Sequence, residues 1–552
     1  YKGCYCHSLS ICWGQGASVQ SLDKPIFRIA GITLFLVCLA ACQAVAAVPT
    51  ALPPQPSAAP TALPAWRVAE YVPDSLHASL TLPAGLPEAQ SPDQAALFFG
   101  LAPSGAPGVD WVYALAVAFP TVADGYPLSA VQALWNGEDA GELAGACLLV
   151  SPDTAAALTD LWGAQPSSSV IQIPAGELLD TAWQRRECVA ILPFEDLNSR
   201  WKTLEVDGQS PLRTDFDPQT YPLSLRFAWQ GALEGLNLAP PQDNWQRGRL
   251  TVLLLTGTTA LTRGTAARMA EMGVTYPGEK IRDWFTQVDL AHVSNEVSFT
   301  EKCPPPDPFS PSLMFCSAPD NLDLLDYLGV DVIEVTGNHV ADYGKAVMLD
   351  TLAAYRERGW RYYAAGENEA QARQPLLIEH NGNHIAFLGC NQAGPESVWA
   401  RENAPGVAQC DLDDLSARLA ELKARGYLTV VTLQYDESYR PRPTELQERF
   451  FREVSAAGAD IVSGSQAHFP QAFAFTEQRF IHYGPGNLFF DQMDYPVVGT
   501  RREFLVRYVI YANRLVGIEL LTAMLEDSAQ PRPMTAAERR QFLEEYFAAS
   551  GW

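Results

Sequence analysis

Short apolar runs bounded by turn-forming residues alternate along this chain with stretches in which apolar positions recur every three to four residues. Runs of the first kind lie at Trp111 to Phe119, Cys188 to Pro193, Leu250 to Leu255, Asp331 to Val335, Ile385 to Leu388, Thr429 to Leu433, Asp460 to Ser463 and Phe480 to Tyr483, and each reads as a buried strand. Stretches of the second kind cover Leu128 to Trp135, Ala155 to Trp162, Ala266 to Met272, Asp320 to Leu328 and Val347 to Arg358, and read as helices. This alternation predicts an α/β protein whose sheets are covered by helices, with polar residues gathering at strand ends. The Asn-Gly pair in HNGNH, His380 to His384, predicts a hairpin turn with its two histidines as flanking surface residues. Thr535 and Glu538 form a capping-box pattern that opens a closing helix over residues 535–552.

Two stretches interrupt the pattern. Residues 43–65 are nearly all Ala, Pro, Ser and Thr; such a segment buries too little apolar surface to fold and reads as an extended spacer. Two prolines among polar residues at Ala239 to Asn244 mark a second break, separating a smaller α/β domain over residues 66–238 from a larger one over 246–526. A chain of 552 residues with 47% hydrophobic composition has material for two cores. Its 63 acidic and 38 basic side chains give a formal charge of −25, which repels phosphate backbones and excludes nucleic acid as the expected partner.

The apolar run Ile29 to Gln43, preceded by Lys24 and Arg28, is too short for a membrane span and reads as a signal peptide, so residues 1–42 are a signal region. Residues 1–23 fit neither a charged leader nor a domain and read as upstream sequence. The end of the run, Leu39-Ala40-Ala41-Cys42, resembles the lipobox of bacterial lipoproteins. That resemblance implies that Cys42 is lipidated and that the protein is extracytoplasmic and held at the cell membrane; an ordinary signal peptide carrying a cysteine is the other reading. Six further cysteines permit disulfides outside the reducing cytoplasm. Proximity in sequence suggests Cys303 with Cys316 and Cys390 with Cys410, and six free thiols is the alternative.

Four segments carry chemistry. TGNHVADYG, Thr336 to Gly344, follows an apolar strand; SNEVSF, Ser294 to Phe299, precedes it; IVSGSQAHFPQ, Ile461 to Gln471, and YGPGNLFFDQ, Tyr483 to Gln492, follow. In kind and order they resemble the motifs of the CapA-type capsule-synthesis proteins, a branch of the metallophosphatase-like folds. The resemblance implies a C-terminal metallophosphatase-like α/β sandwich. It also implies Glu296, Asn338 and His468 as ligands of a divalent metal (Mn, Fe or Zn), His339 as proton donor, and Asp342 as its orienter. A neutral amide oxygen suits a hard cation, and an imidazole can donate a proton or stabilise developing charge. The chain departs from the family at three expected ligand positions: Thr258 follows Gly257 where an aspartate is expected, Gln434 or Tyr435 stands where a histidine is expected, and Gln466 replaces another histidine. The site therefore reads as degenerate, with Asp436 or Glu437 as a replacement ligand if the register shifts.

The smaller domain resembles periplasmic solute-binding proteins at Tyr113 to Gly125, at the aromatic-bearing helix ending at Trp135 and at Val189 to Pro211, which implies a small-molecule ligand. Nucleophile-elbow and phosphate-loop motifs are absent from the sequence. Two functions are thus expected. One is a surface-anchored protein serving biosynthesis of a capsule or poly-γ-glutamate-type anionic polymer together with the synthesis machinery, as a metal-dependent hydrolase or transferase. The alternative is a non-catalytic ligand-binding or scaffold lipoprotein with a degenerate metallophosphatase-like domain.

Overall fold

The computed structural model describes residues 64–103, 105–231 and 234–552; the signal region, Cys42 and nearly all of the spacer lie outside the described residues. The chain from Leu63 onward forms one compact unit. Its first sheet is built from residues 65–231. In spatial order its strands are Ala65–Val68, Ala95–Leu101, Ser224–Gly231, Val109–Ala118, Cys188–Pro193, Cys147–Val150 and Val170–Gln172, with Trp201–Val206 pairing the far end of Val109–Ala118. Cys147 and Cys188 face each other on adjacent parallel strands and are joined by a disulfide. Helix Pro152–Trp162 starts where the Ser151 side chain accepts from the Thr154 amide and stops at Gly163 in the left-handed conformation.

The remainder builds two more sheets. One runs Arg361–Tyr363, Val332–Glu334, Leu290–Asn295, Leu250–Leu255, Arg502–Tyr511, Arg514–Glu526 and Gln530–Pro533. Its first four strands are parallel, and the last three join antiparallel. The other runs Leu376–His380, Asn383–Asn391, Leu428–Gln434, Ile461–Ser465, Arg479–His482 and Phe473–Thr476. Because side chains alternate across a strand, each sheet offers two apolar faces. Leu253 and Leu255 point to a core shared with Phe387, Val430 and Ile461 of the second sheet. Leu254, between them, faces Met269, Leu324 and Met348 of the outer helices. On the far side, Leu388, Val431 and Val462 pack on Leu419, Phe451 and Val454 of helices Leu412–Ala424 and Glu445–Ala456. The result is a helix, sheet, sheet, helix sandwich, the α/β architecture expected from the motifs.

The first sheet docks on this sandwich rather than standing apart. Its core continues into Leu250, Val252 and Val509. Phe119 meets the rings of Phe475, Phe480 and Trp552 at 5.4, 5.3 and 5.8 Å between centroids. The predicted Asn-Gly hairpin is present, with Asn381 and Gly382 both at positive φ. His380 is not a free surface group, however: its Nδ1 lies 2.9 Å from Thr251 Oγ1, whereas His384 sits against the Tyr427 ring. Disulfides join Cys303 to Cys316 and Cys390 to Cys410. Thr535 caps helix Ala536–Ala549 reciprocally with Glu538.

Candidate functional site

The parallel strands of both sandwich sheets deliver their C-terminal ends to one place. Leu290–Asn295 runs out into Glu296, Val332–Glu334 into the Thr336 to Asp342 turn, Leu428–Gln434 ends on Gln434 itself, and Ile461–Ser465 runs into Gln466 and His468. The turns approach closely enough to demand glycine. A Cβ on Gly337 would stand 2.5 Å from Glu296 Cα, and one on Gly257 would stand 2.1 Å from the Gly486 carbonyl oxygen.

At the centre lies the carboxamide of Gln434, only 2% exposed. Its Nε2 donates to Glu296 Oε1 and Asn338 Oδ1, each at 3.1 Å, and also contacts Gln466 Oε1. Gln466 holds this position with φ at +76°. Gln434 Oε1 accepts from Ser465 Oγ at 3.1 Å and Thr336 Oγ1 at 3.4 Å. The one hydroxyl hydrogen of Thr336 is shared with Glu334 Oε1, the nearer of the two acceptors. Burial pushes the Glu334 carboxyl up to about 7, with the surrounding hydroxyls opposing. Glu296 Oε2 is buried and has no hydrogen-bond partner.

Beside this cluster His339 Nδ1 lies 2.7 Å from Asp342 Oδ2, which also accepts from the Phe315 amide at 2.8 Å. Burial works against charge on His339, but the Asp342 hydrogen bond and the Glu296 and Asp342 carboxylates outweigh it and raise its pKa above 6.5. The Phe315 ring covers the imidazole at 4.4 Å. Arg263 is a further member that nothing in the sequence singled out. Its guanidinium stacks 4.9 Å from both Phe315 and Phe490 and pairs with Asp491 at 2.5 Å. Its backbone adopts φ of +44°, unusual for a side chain of this size.

The predicted metal ligands are only partly brought together. Glu296 and Asn338 meet on Gln434, while His468 Nδ1 pairs with Asn487 Oδ1 at 2.9 Å and its ring packs on Phe490. Neither replacement ligand completes a centre. Asp436 accepts from Thr444 Oγ1 at the start of helix Glu445–Ala456, and Glu437 accepts from Tyr439 Oη at 2.6 Å. Thr258 places a buried hydroxyl where the first aspartate was expected. Among the described residues the only acid, histidine or cysteine triplet at ligand spacing is Cys147, Glu187 and Cys188, and its cysteines are joined in a disulfide. A dinuclear centre needs several anionic or imidazole ligands. Here an amide N–H sits among the oxygens instead, so these residues do not fit one.

Residues 252–492 match the family described as bacterial capsule synthesis protein PGA_cap. "Capsule biosynthesis protein CapA" of Bacillus anthracis is 29% identical over 213 residues, covering 38% of this chain and 51% of the relative. "PGA biosynthesis protein CapA" of Bacillus subtilis (strain 168) is 27% identical over 223 residues, 40% of this chain and 58% of the relative. The chain thus spans about half the length of these curated relatives. Among solved structures, a 5'-nucleotidase precursor from Thermus thermophilus aligns with 54% of this chain and 59% of its own at 13% identity and a TM-score of 0.32. The segment from Val252 to Gln492, which carries the whole strand-end cluster, matches the model of the bacterial capsule synthesis family.

Proposed function

We propose that this protein acts at the cell surface on a carboxylate-bearing polymer of the poly-γ-glutamate type, binding it during synthesis, release or attachment alongside the synthesis machinery. The observation that carries the reading is that Arg263 and His339, partnered by Asp491 and Asp342, both lie against the Phe315 ring in a chain whose formal charge is −25. Arg263, Phe315 and Tyr343 line a cavity of about 380 Å³ beneath the Cys303 to Cys316 loop, within the range of ligand pockets. A guanidinium and a protonated imidazole both donate to carboxylates. Three disulfides support an oxidising compartment, and anchoring through a lipid on Cys42 is part of the proposal.

Calorimetric titration of the protein with γ-glutamyl oligomers tests it. Arg263→Gln weakens binding at least about tenfold, the loss of one charge-assisted contact. Wild-type affinity falls as pH rises through the elevated His339 pKa, because the imidazole then loses its proton, and His339→Ala removes that pH step. Oligomers that do not bind, or that bind both variants as well as wild type, would refute the reading.

A second reading, cleavage or transfer at an ester or amide bond, is supported by the His339–Asp342 contact of 2.7 Å. With Nδ1 engaged by Asp342, Nε2 remains to give a proton to a leaving group. Release of shorter chains from the polymer, lost in His339→Ala, distinguishes it from binding alone. The first sheet serves in either reading as a module for a smaller ligand. A cavity of about 300 Å³ bordered by Lys202, Arg213 and Glu519 supports that role.

A further inference from the structure

We propose that Gln434 is an internal substitute for a cation, and that this one residue arranges the strand-end cluster to work without a resident divalent ion. Three acceptor oxygens, from Glu296, Asn338 and Gln466, converge on its Nε2, which has only two hydrogens. Oxygens converging from separate strand ends onto one electropositive atom is the arrangement a hard cation imposes. Here a neutral amide nitrogen occupies the middle.

The amide cannot turn over without penalty. Its Oε1 faces the hydroxyls of Ser465 and Thr336. Rotation by half a turn would set that oxygen against the Glu296 carboxylate, which has no hydrogen to give, and would require the Asn338 and Gln466 amides to turn with it. The cluster is buried, with Glu296 at 3%, Gln434 at 2% and Gln466 at 5% exposure, so water does not relieve the repulsion. The remaining ingredients of a cation site are nevertheless present. Glu296 Oε2 is buried and unpartnered, and the amide oxygens of Asn338 and Gln466 already point inward. What the cluster lacks is a second anionic ligand in place of the N–H. The inference does not depend on which ligand the neighbouring cleft binds.

Gln434→Glu supplies that ligand with almost no change of shape. Two carboxylates then face each other in a buried site, where like charges repel unless a cation lies between them. Titration with manganese chloride, followed by calorimetry and by the thermal midpoint, separates the possibilities. Wild type takes up no Mn²⁺, and its midpoint is the same in chelator as in millimolar Mn²⁺. Gln434→Glu melts earlier in chelator, binds Mn²⁺ and recovers its midpoint when the ion is added. Gln434→Met, equal in length but without the N–H, melts earlier and Mn²⁺ does not restore it. Where Gln434→Glu is too unstable to purify, Gln434→His, which adds a neutral nitrogen ligand, is read for Mn²⁺ binding in the same way. Stoichiometric Mn²⁺ uptake by wild type overturns the proposal. A folded Gln434→Glu protein that ignores Mn²⁺ overturns it equally.

Discussion

Glu334 lies beneath Gln434 with its carboxyl raised from an ordinary 4.5 to about 7 by burial. For an acid raised in the fold, the native state binds the proton more tightly than the unfolded state. Below pH 4.5 both states are protonated and the group contributes nothing. Between pH 4.5 and 7 the unfolded chain ionises first, so stability falls as pH rises, and the penalty is complete above pH 7. Glu334→Gln removes it, and urea unfolding should show the variant gaining on wild type across that window by on the order of 3 kcal/mol. A gap that does not change with pH would mean that Glu334 does not titrate there. At this scale, what was legible in the sequence was local. His339 and Asp342 are three residues apart in one turn, and they do pair. Arg263 was not legible, because its place is made by Phe315, Phe490 and Asp491, the last 228 residues away, and by a positive φ that no residue type announces.

Among elements, helix Glu445–Ala456 ties the site to the outer layer. Thr444 accepts from the Gln447 amide, Gln447 reaches back to the Thr444 amide, and the Thr444 hydroxyl also donates to Asp436. Thr444→Ala removes the cap and leaves Asp436 without its donor, so a loss of about 1–2 kcal/mol in denaturant unfolding is expected; an effect below a few tenths would show that the cap is dispensable. Strands that are continuous apolar runs were readable: Cys188–Pro193 and Leu250–Leu255 lie where the pattern set them. The long hairpin of Arg502–Tyr511 and Arg514–Glu526 was not. Its apolar positions are interrupted by Glu503, Arg507 and Glu519. Glu503 and Arg507 are buried, and Arg507 and Glu519 pair with each other at 3.6 Å. Its turn, Ala512-Asn513, has both residues at positive φ without a glycine, so the usual turn signal is missing.

At the scale of the whole molecule the first sheet and the sandwich share apolar contacts rather than a linker alone. Phe119 inserts among Phe473, Phe475, Phe480, Phe547 and Trp552, and Trp183 packs on Phe475 and Trp552. Arg539 pairs with Asp124, and Arg213 with Glu519, across the same junction. Phe119→Ala should cost about 3–5 kcal/mol. If the two parts are as coupled as this packing implies, tryptophan fluorescence and far-ultraviolet dichroism should follow one shared transition in wild type and separate into two in the variant. Coincident curves in both proteins would show that the junction contributes little. The pairing of Leu250 with Tyr511 sets the order in which this chain can fold. The strand that begins the sandwich waits, while the polypeptide is being made, for one that comes near its end. During that interval a hydrophobic strand stands with an open edge, ready to pair with another copy. The danger of aggregation therefore spans the whole stretch between these two strands, and shielding by a chaperone would matter until the final hairpin closes.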